Sequence, residues 1–206
     1  MGVVATKFEI CTQAMLAIGA PKITNFDGST PESAICGAIY PSILEAALQR
    51  HPWAFCTIFA RQLARLDETP TNVEYSYVYQ LPADLLSLMR VHDTNTYRIE
   101  QRKLLSNLTS VKVDYIFRVA ESDFPAYFVL ALAAEIAAGA AVPLTEDMQK
   151  FSAMKELAAY QWQRAQFDDA KQKSTLAYID DGGLITARMG GTTLGYWYGT
   201  GPGPGF

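Results

Sequence analysis

The stretch "PAYFVLALAAEIAAGAAV", Pro125 to Val142, carries a single charged side chain, Glu135. A helix apolar on every side must be enclosed on every side, by lipid or by other helices. Alanine contributes little to membrane insertion, a central acid costs roughly 2.5 to 3.5 kcal/mol there, and the run meets Pro143. The segment therefore reads as the buried central helix of a soluble protein, packed closely through small residues.

Its neighbours are legible from the helical period. In "ATKFEICTQAMLAIGA", Phe8, Cys11, Met15 and Ile18 recur on one stripe, and Gly19 with Pro21 ends the element. A loop, "PKITNFDGST", leads to Ser29 or Thr30 as cap, with Glu32 completing a capping box from Ser29. The helix that follows, "PESAICGAIYPSILEAALQR", sets Ile35, Ile39, Ile43 and Ala47 on one face beside Leu44 and Leu48, and Pro41 should kink it. A third helix is capped by Ser122 or Asp123. Thr145 caps a fourth, "EDMQKFSAMKELAAYQWQRAQFDDAKQKS".

Between the second and third helices the period changes to two. "VEYSYVYQLP" alternates Val73, Tyr75, Tyr77 and Tyr79, and "SVKVDYIFRV" alternates Val111, Val113, Tyr115, Phe117 and Val119. The fold class is α+β: a mainly helical bundle of about four helices, with a small antiparallel β module inserted between helices two and three. Residues 4–66 and 120–175 form the discontinuous helical domain, 67–119 the β module, and 176–206 an extended Gly-rich C-terminal arm. Half the residues are apolar and 18% are charged, which requires a well-packed core.

Little in the chain points to chemistry. Cys11, Cys36 and Cys56 are odd in number and far apart, so they read as buried apolar residues in a reducing cytoplasm. The opening "MGVVATKFEI" lacks the basic stretch and apolar run of a secretory signal. His51 and His92 stand in separate segments, and His51 lies five positions from Cys56 across a proline, a spacing that specifies no catalytic geometry. Asp168-Asp169 falls on a helix already rich in charges, where adjacent residues point in different directions, and Asp180 to Gly183 reads as a turn. No metal, cofactor or catalytic residue is assigned. The net charge of −4 and the absence of any basic run weigh against nucleic acid as the main partner. In the tail, "YWYGTGPGPGF" places Tyr196, Trp197, Tyr198 and Phe206 where no core is near in sequence. These side chains are candidate anchors for a partner or a neighbouring subunit.

In "RHPWAFC", Pro52 must end or bend the second helix at His51. Trp53 and Phe55 are then thrown into the junction of bundle and sheet, and Pro52, Trp53 and Phe55 form a structural corner.

Taken in order, "AMLAIGAPKITNFDGSTPESAICGAIYPSILEAALQRHPWAFC", "YSYVYQLPADLLSLMRV", "VDYIFRV" and "FPAYFVLALAAEIAAGAAVPLTED" resemble the tail tubular protein A family. These are head-to-tail adaptors of short-tailed bacteriophages. The likeness covers about residues 4 to 175 and leaves the tail unmatched. It implies a structural virion protein without cofactor, usually twelve copies in a ring between the portal protein and the tubular protein B-like tail nozzle. Double-stranded DNA would pass through the ring without sequence-specific binding. The location implied is the phage neck or tail, after synthesis in the bacterial cytoplasm, with no membrane involved. A virion-associated glycan hydrolase using paired carboxylates is an alternative, with Glu135 as an acid of raised pKa. A non-viral helical scaffold module is another.

Overall fold

The computed structural model of the chain describes residues 6–26, 28–94 and 96–172. Four helices surround one core: α1 (Lys7–Ala17), α2 (Pro31–Gln49), α3 (Ala126–Thr145) and α4 (Met148–Ala170). The alanine-rich α3 is the central element. Its buried side chains, among them Phe128, Leu132, Ile136 and six alanines between Ala131 and Ala140, meet the other three helices. Among the described residues α3 alone is long and apolar enough to cross a membrane. Gly139 marks the closest approach: a Cβ there would stand 3.3 Å from Ile43 Cδ1 and 3.4 Å from Ile39 Cδ1.

The caps differ from sequence expectation in an instructive way. The first helix is closed by a capping box of Thr6 and Glu9. The second is capped by Thr30, not Ser29, because Pro31 takes the first helical position and leaves Thr30 next to the open amides. Neither Ser122 nor Asp123 caps α3: a single 3-10 turn occupies Glu121–Asp123, and Pro125, with no amide to satisfy, precedes the helix. Thr145 is the last residue of α3, not the cap of α4. Its hydroxyl donates to the Ala141 carbonyl at 2.7 Å, and Asp147 caps α4 by accepting from Gln149 and Lys150 amides. Pro41 and Pro143 both lie inside continuous helices.

The apolar stripe of α2 is turned by one residue. Cys36, Tyr40, Leu44, Ala47 and Leu48 are buried, while Ile35, Ile39 and Ile43 pack at the core's margin. On α1 the buried set is Ile10, Cys11, Ala14 and Met15, and Phe8 stands half out of the core, edge-on to Phe26. All three cysteines are buried.

The inserted module contains seven strands in two antiparallel sheets. One has the order β1 (Thr57–Gln62), β7 (Lys112–Phe117), β4 (Leu85–Val91). The other runs β2 (Ala64–Leu66), β3 (Tyr77–Gln80), β6 (Lys103–Ser106), β5 (Tyr97–Glu100). Strands β1 and β2 thus occupy most of residues 57–66, at the end of the segment assigned from sequence to the helical domain. After Pro52 breaks α2, the β-branched and aromatic run Thr57-Ile58-Phe59 finds an open ladder on β7, pairing Thr57 with Ile116 and Ile58 with Tyr115. The chain changes sheets at Leu63, whose amide donates to Val111 O at 2.9 Å. Val73 and Tyr75 precede β3, so its alternation begins only at Tyr77. A second core lies between the sheets, built from Leu63, Tyr79, Leu81, Val91, Leu104, Val111, Val113 and Tyr115.

Candidate functional site

The break at Pro52 generates the densest aromatic cluster among the described residues. Trp53 is fully buried, and its Nε1–H donates to the Ala47 carbonyl six residues back at 3.0 Å. Around it stand His51 at 4.9 Å, Phe128 at 5.4 Å, Trp162 at 5.8 Å and Phe55 at 6.2 Å between ring centroids. Phe55 continues the cluster to Phe128 and Phe124. Trp53 thus packs against α3 and α4 inside the helical core, and Phe55 carries the contact toward the sheet side, where Ile116 and Phe117 meet the same core.

Asp169 fastens this corner. Its carboxylate is fully buried and accepts from the Ala54 amide and the Tyr127 hydroxyl, both at 2.9 Å, with His51 Nε2 3.6 Å from the other oxygen. Burial, reinforced by the adjacent carboxylate, pushes the Tyr127 phenol well above its ordinary range. Asp168 pairs with Lys171 and Arg164 on the charged face, and Asp169 diverges from it, as expected of adjacent helical positions. Neighbouring positions on a helix point about 100° apart, and only Asp169 turns inward.

Glu135 is the one charge on α3, and it is committed on three sides. Trp162 Nε1–H donates to it at 2.9 Å, Lys155 Nζ at 3.1 Å, and Arg50 approaches to 3.7 Å while lying over the Trp162 ring. Burial pushes the Glu135 carboxyl up, but the Trp162 and Lys155 hydrogen bonds overcome it and hold the group below its ordinary value. A general acid requires the opposite direction, so the expected raised pKa is corrected here.

A second buried acid organises the module. Asp114, on the central strand β7, accepts from the Ala60 amide at 2.7 Å and His92 Nε2 lies 2.6 Å away, with Arg90 Nε at 3.2 Å. Burial opposes its ionisation, yet the Ala60 amide, His92 and Arg90 together keep the Asp114 carboxyl below its ordinary value. Both edge strands lose register opposite this residue: β1 between Ile58 and Arg61, β4 between Leu88 and Arg90. The bulge in β1 places Ala60 at a φ of 51°, in the left-handed region, and frees the amide that Asp114 captures. The sequence signal was an acid inside an apolar strand, "VDYIF", which a period count passes over.

A shallow recess of about 120 Å³ lies over the second sheet, floored by Val78 and Leu105 and rimmed by Glu68, Glu100, Lys103, Thr69 and Thr71. Its acids are already engaged, Glu68 by Lys103 and Glu100 by Thr71 and Arg98. No group of three or more potential metal ligands occurs among the described residues. The aromatic candidates Tyr196, Trp197, Tyr198 and Phe206 lie outside the described residues, as does the whole of 176–206.

The carboxylates of Asp169, Glu135 and Asp114 are thus engaged within the fold, and the large apolar side chains exposed among the described residues include Phe59 and Met89 on the module and Leu157, Tyr160 and Phe167 on α4. No family model and no curated protein matches the chain.

Proposed function

We propose that this chain is a head-to-tail adaptor of a bacteriophage virion, a structural subunit that forms a ring between portal and tail nozzle and leaves a channel for DNA. One observation carries the reading. The sequence elements shared with the tail tubular protein A family occupy junctions of the fold rather than a pocket. "HPWAF" is the fastened corner, and the "FPAYFVLALAAEIAAG" segment is the central helix. In "YQLPADL", Leu81 donates to Arg102 O, and Arg102 Nη2 donates back to the Pro82 and Ala83 carbonyls at 2.8 Å each. Residues at such positions serve a shape, and shape is what a ring subunit supplies.

The experiment is native mass spectrometry of the full chain, alone and mixed with the portal ring encoded beside it. A portal-bound ring of about twelve copies supports the adaptor reading; an intact portal that binds no copy at any concentration removes it. The aromatic residues 196–198 and 206 are the proposed portal anchors. A chain ending at residue 184 is expected to keep its helical signal and lose the portal.

A further inference from the structure

Two of the three cysteines, distant in sequence, meet in the core. Cys11 lies on α1 and Cys36 on α2, yet their thiols are in hydrogen-bond contact, with Cys11 donating to Cys36. Neither side chain reaches solvent. Helical spacing sets up the meeting. Lys7 and Cys11 stand four positions apart on α1, and Cys36 and Tyr40 four apart on α2, so each pair projects from one face of its helix. Lys7 Nζ lies 5.2 Å from the centroid of the Tyr40 ring, and this contact and the thiol pair together span the seam between the two helices. Cys56 belongs elsewhere: its amide donates to the Trp53 carbonyl at 3.2 Å, in the corner that follows the end of α2.

The surroundings divide the two sulfurs by role. The hydrogen bond from Cys11, helped by the Lys7 ammonium, holds the Cys36 thiol below its usual range against the effect of burial. The same bond, together with burial, pushes the Cys11 thiol up. Cys36 is therefore the sulfur that ionises first, and the thiolate is the form that attacks a disulfide.

We infer that Cys11 and Cys36 are a redox-active dithiol that closes to a disulfide between α1 and α2, with a glutathione-type disulfide as the oxidant. The Cys36 thiolate attacks one sulfur of the oxidant, whose S–S bond breaks. A mixed disulfide forms on Cys36, and the departing glutathione thiolate takes up the proton that Cys36 gave. Cys11 then attacks the Cys36 sulfur and expels the second glutathione, which takes the Cys11 proton. The protein loses two electrons and two protons, and the oxidant leaves as two thiols. Both cysteines are buried, so the reaction proceeds through local opening of α1. That helix has eleven residues, fewer than the about 12 to 15 at which an isolated helix holds its form in water. Once formed, the bond encloses residues 12–35 and ties the first helix to the second. The inference is independent of the adaptor reading, and neither falls with the other.

The test equilibrates the full chain in glutathione buffers running from fully reduced to fully oxidised. Samples are quenched in acid, alkylated in denaturant and mapped by peptide mass spectrometry. The expected product has lost two hydrogens, links the peptides of Cys11 and Cys36, and leaves Cys56 alkylated. Its thermal midpoint is expected to rise by about 5 °C and to return on treatment with dithiothreitol. Cys11→Ala, checked for folding by circular dichroism, is expected to stop at a glutathione adduct on Cys36. If that variant fails to fold, the parent chain alone decides. Three alkylated thiols at every ratio, or a bond that includes Cys56, overturns the inference. A Cys11–Cys36 bond that forms only in urea, or that lowers the midpoint, overturns it as well, because the native fold would then not hold the pair ready to join. An adduct absent from folded Cys11→Ala but present on Cys11 in Cys36→Ala overturns the assignment of Cys36 as the attacking sulfur.

Discussion

The Asp169 carboxylate accepts a hydrogen bond from the Ala54 amide at 2.9 Å, across 115 positions of sequence. The last helix thereby holds the backbone turn that ends the second. The bond reaches an amide just past Pro52, where α2 has stopped and no helical carbonyl is in position to take it.

Replacing Asp169 by Ala strands the Ala54 amide and the Tyr127 hydroxyl in the core. An unsatisfied buried donor costs about 1 to 3 kcal/mol, and more where its partner was charged. The expected loss is about 3 kcal/mol in urea unfolding at neutral pH. Tyr127→Phe, which removes one donor and leaves Ala54 paired, is expected to lose about 1 kcal/mol.

Trp53→Ala empties the centre of the aromatic cluster between α3 and α4. Loss of a large buried aromatic costs about 3 to 5 kcal/mol. Phe59→Ala, an exposed ring of the module, is expected to move the unfolding midpoint hardly at all. An unmoved midpoint for Trp53→Ala would show that the corner does not hold the bundle together.

Asp114 sets an acid limit on the module. Its folded-state pKa lies below its ordinary 3.8, so its ionised form is favoured by folding. That contribution is complete above about pH 4 to 5 and is lost as pH falls through the depressed value. Denaturant titrations from pH 7 down to pH 2 are expected to show stability dropping in this window. Asp114→Asn, weaker at neutral pH, is expected to flatten the drop. Equal slopes for both proteins would remove Asp114 from the acid response.

Ala60 adopts a left-handed conformation that costs an L-residue about 1 to 2 kcal/mol. Glycine avoids that cost and gives up about 0.5 to 1 kcal/mol in chain entropy. Ala60→Gly is therefore expected to stabilise by about 0.5 kcal/mol, and Ala60→Val to destabilise by more than 1 kcal/mol. Thermal melts of the two variants decide the sign.

What the sequence revealed depended on whether the signal was local. The enclosed α3 was readable because apolarity on all sides leaves one solution, and Pro52 announced the corner because a missing amide acts on its own turn. The strand character of residues 57–66 was hidden. That run lacks alternation, and its strand state comes from partners elsewhere, β7 fifty or more positions later for β1 and β3 for β2. The same holds for the polar fasteners. Asp169 and Asp114 each sit in a segment whose periodicity describes its own element well, and their partners lie on other elements. Thr30 displaced Ser29 as cap for a smaller reason: the position of Pro31 selects which of two adjacent hydroxyls faces the open helix end.

The chain passes between bundle and module in two adjacent strands, and Leu86 of β4 also packs against the helical core. Thr57 and Ile116 are paired at the root of β1 and β7, and the Phe117 amide donates to Cys56 O at 2.9 Å just below. A neck of two hydrogen-bonded strands is stiff against twisting, because rotation would shear every rung of the ladder at once. Its lower end is the turn that Asp169 fastens. One route from the sheets to the last helix therefore runs through the turn that holds the buried Trp53.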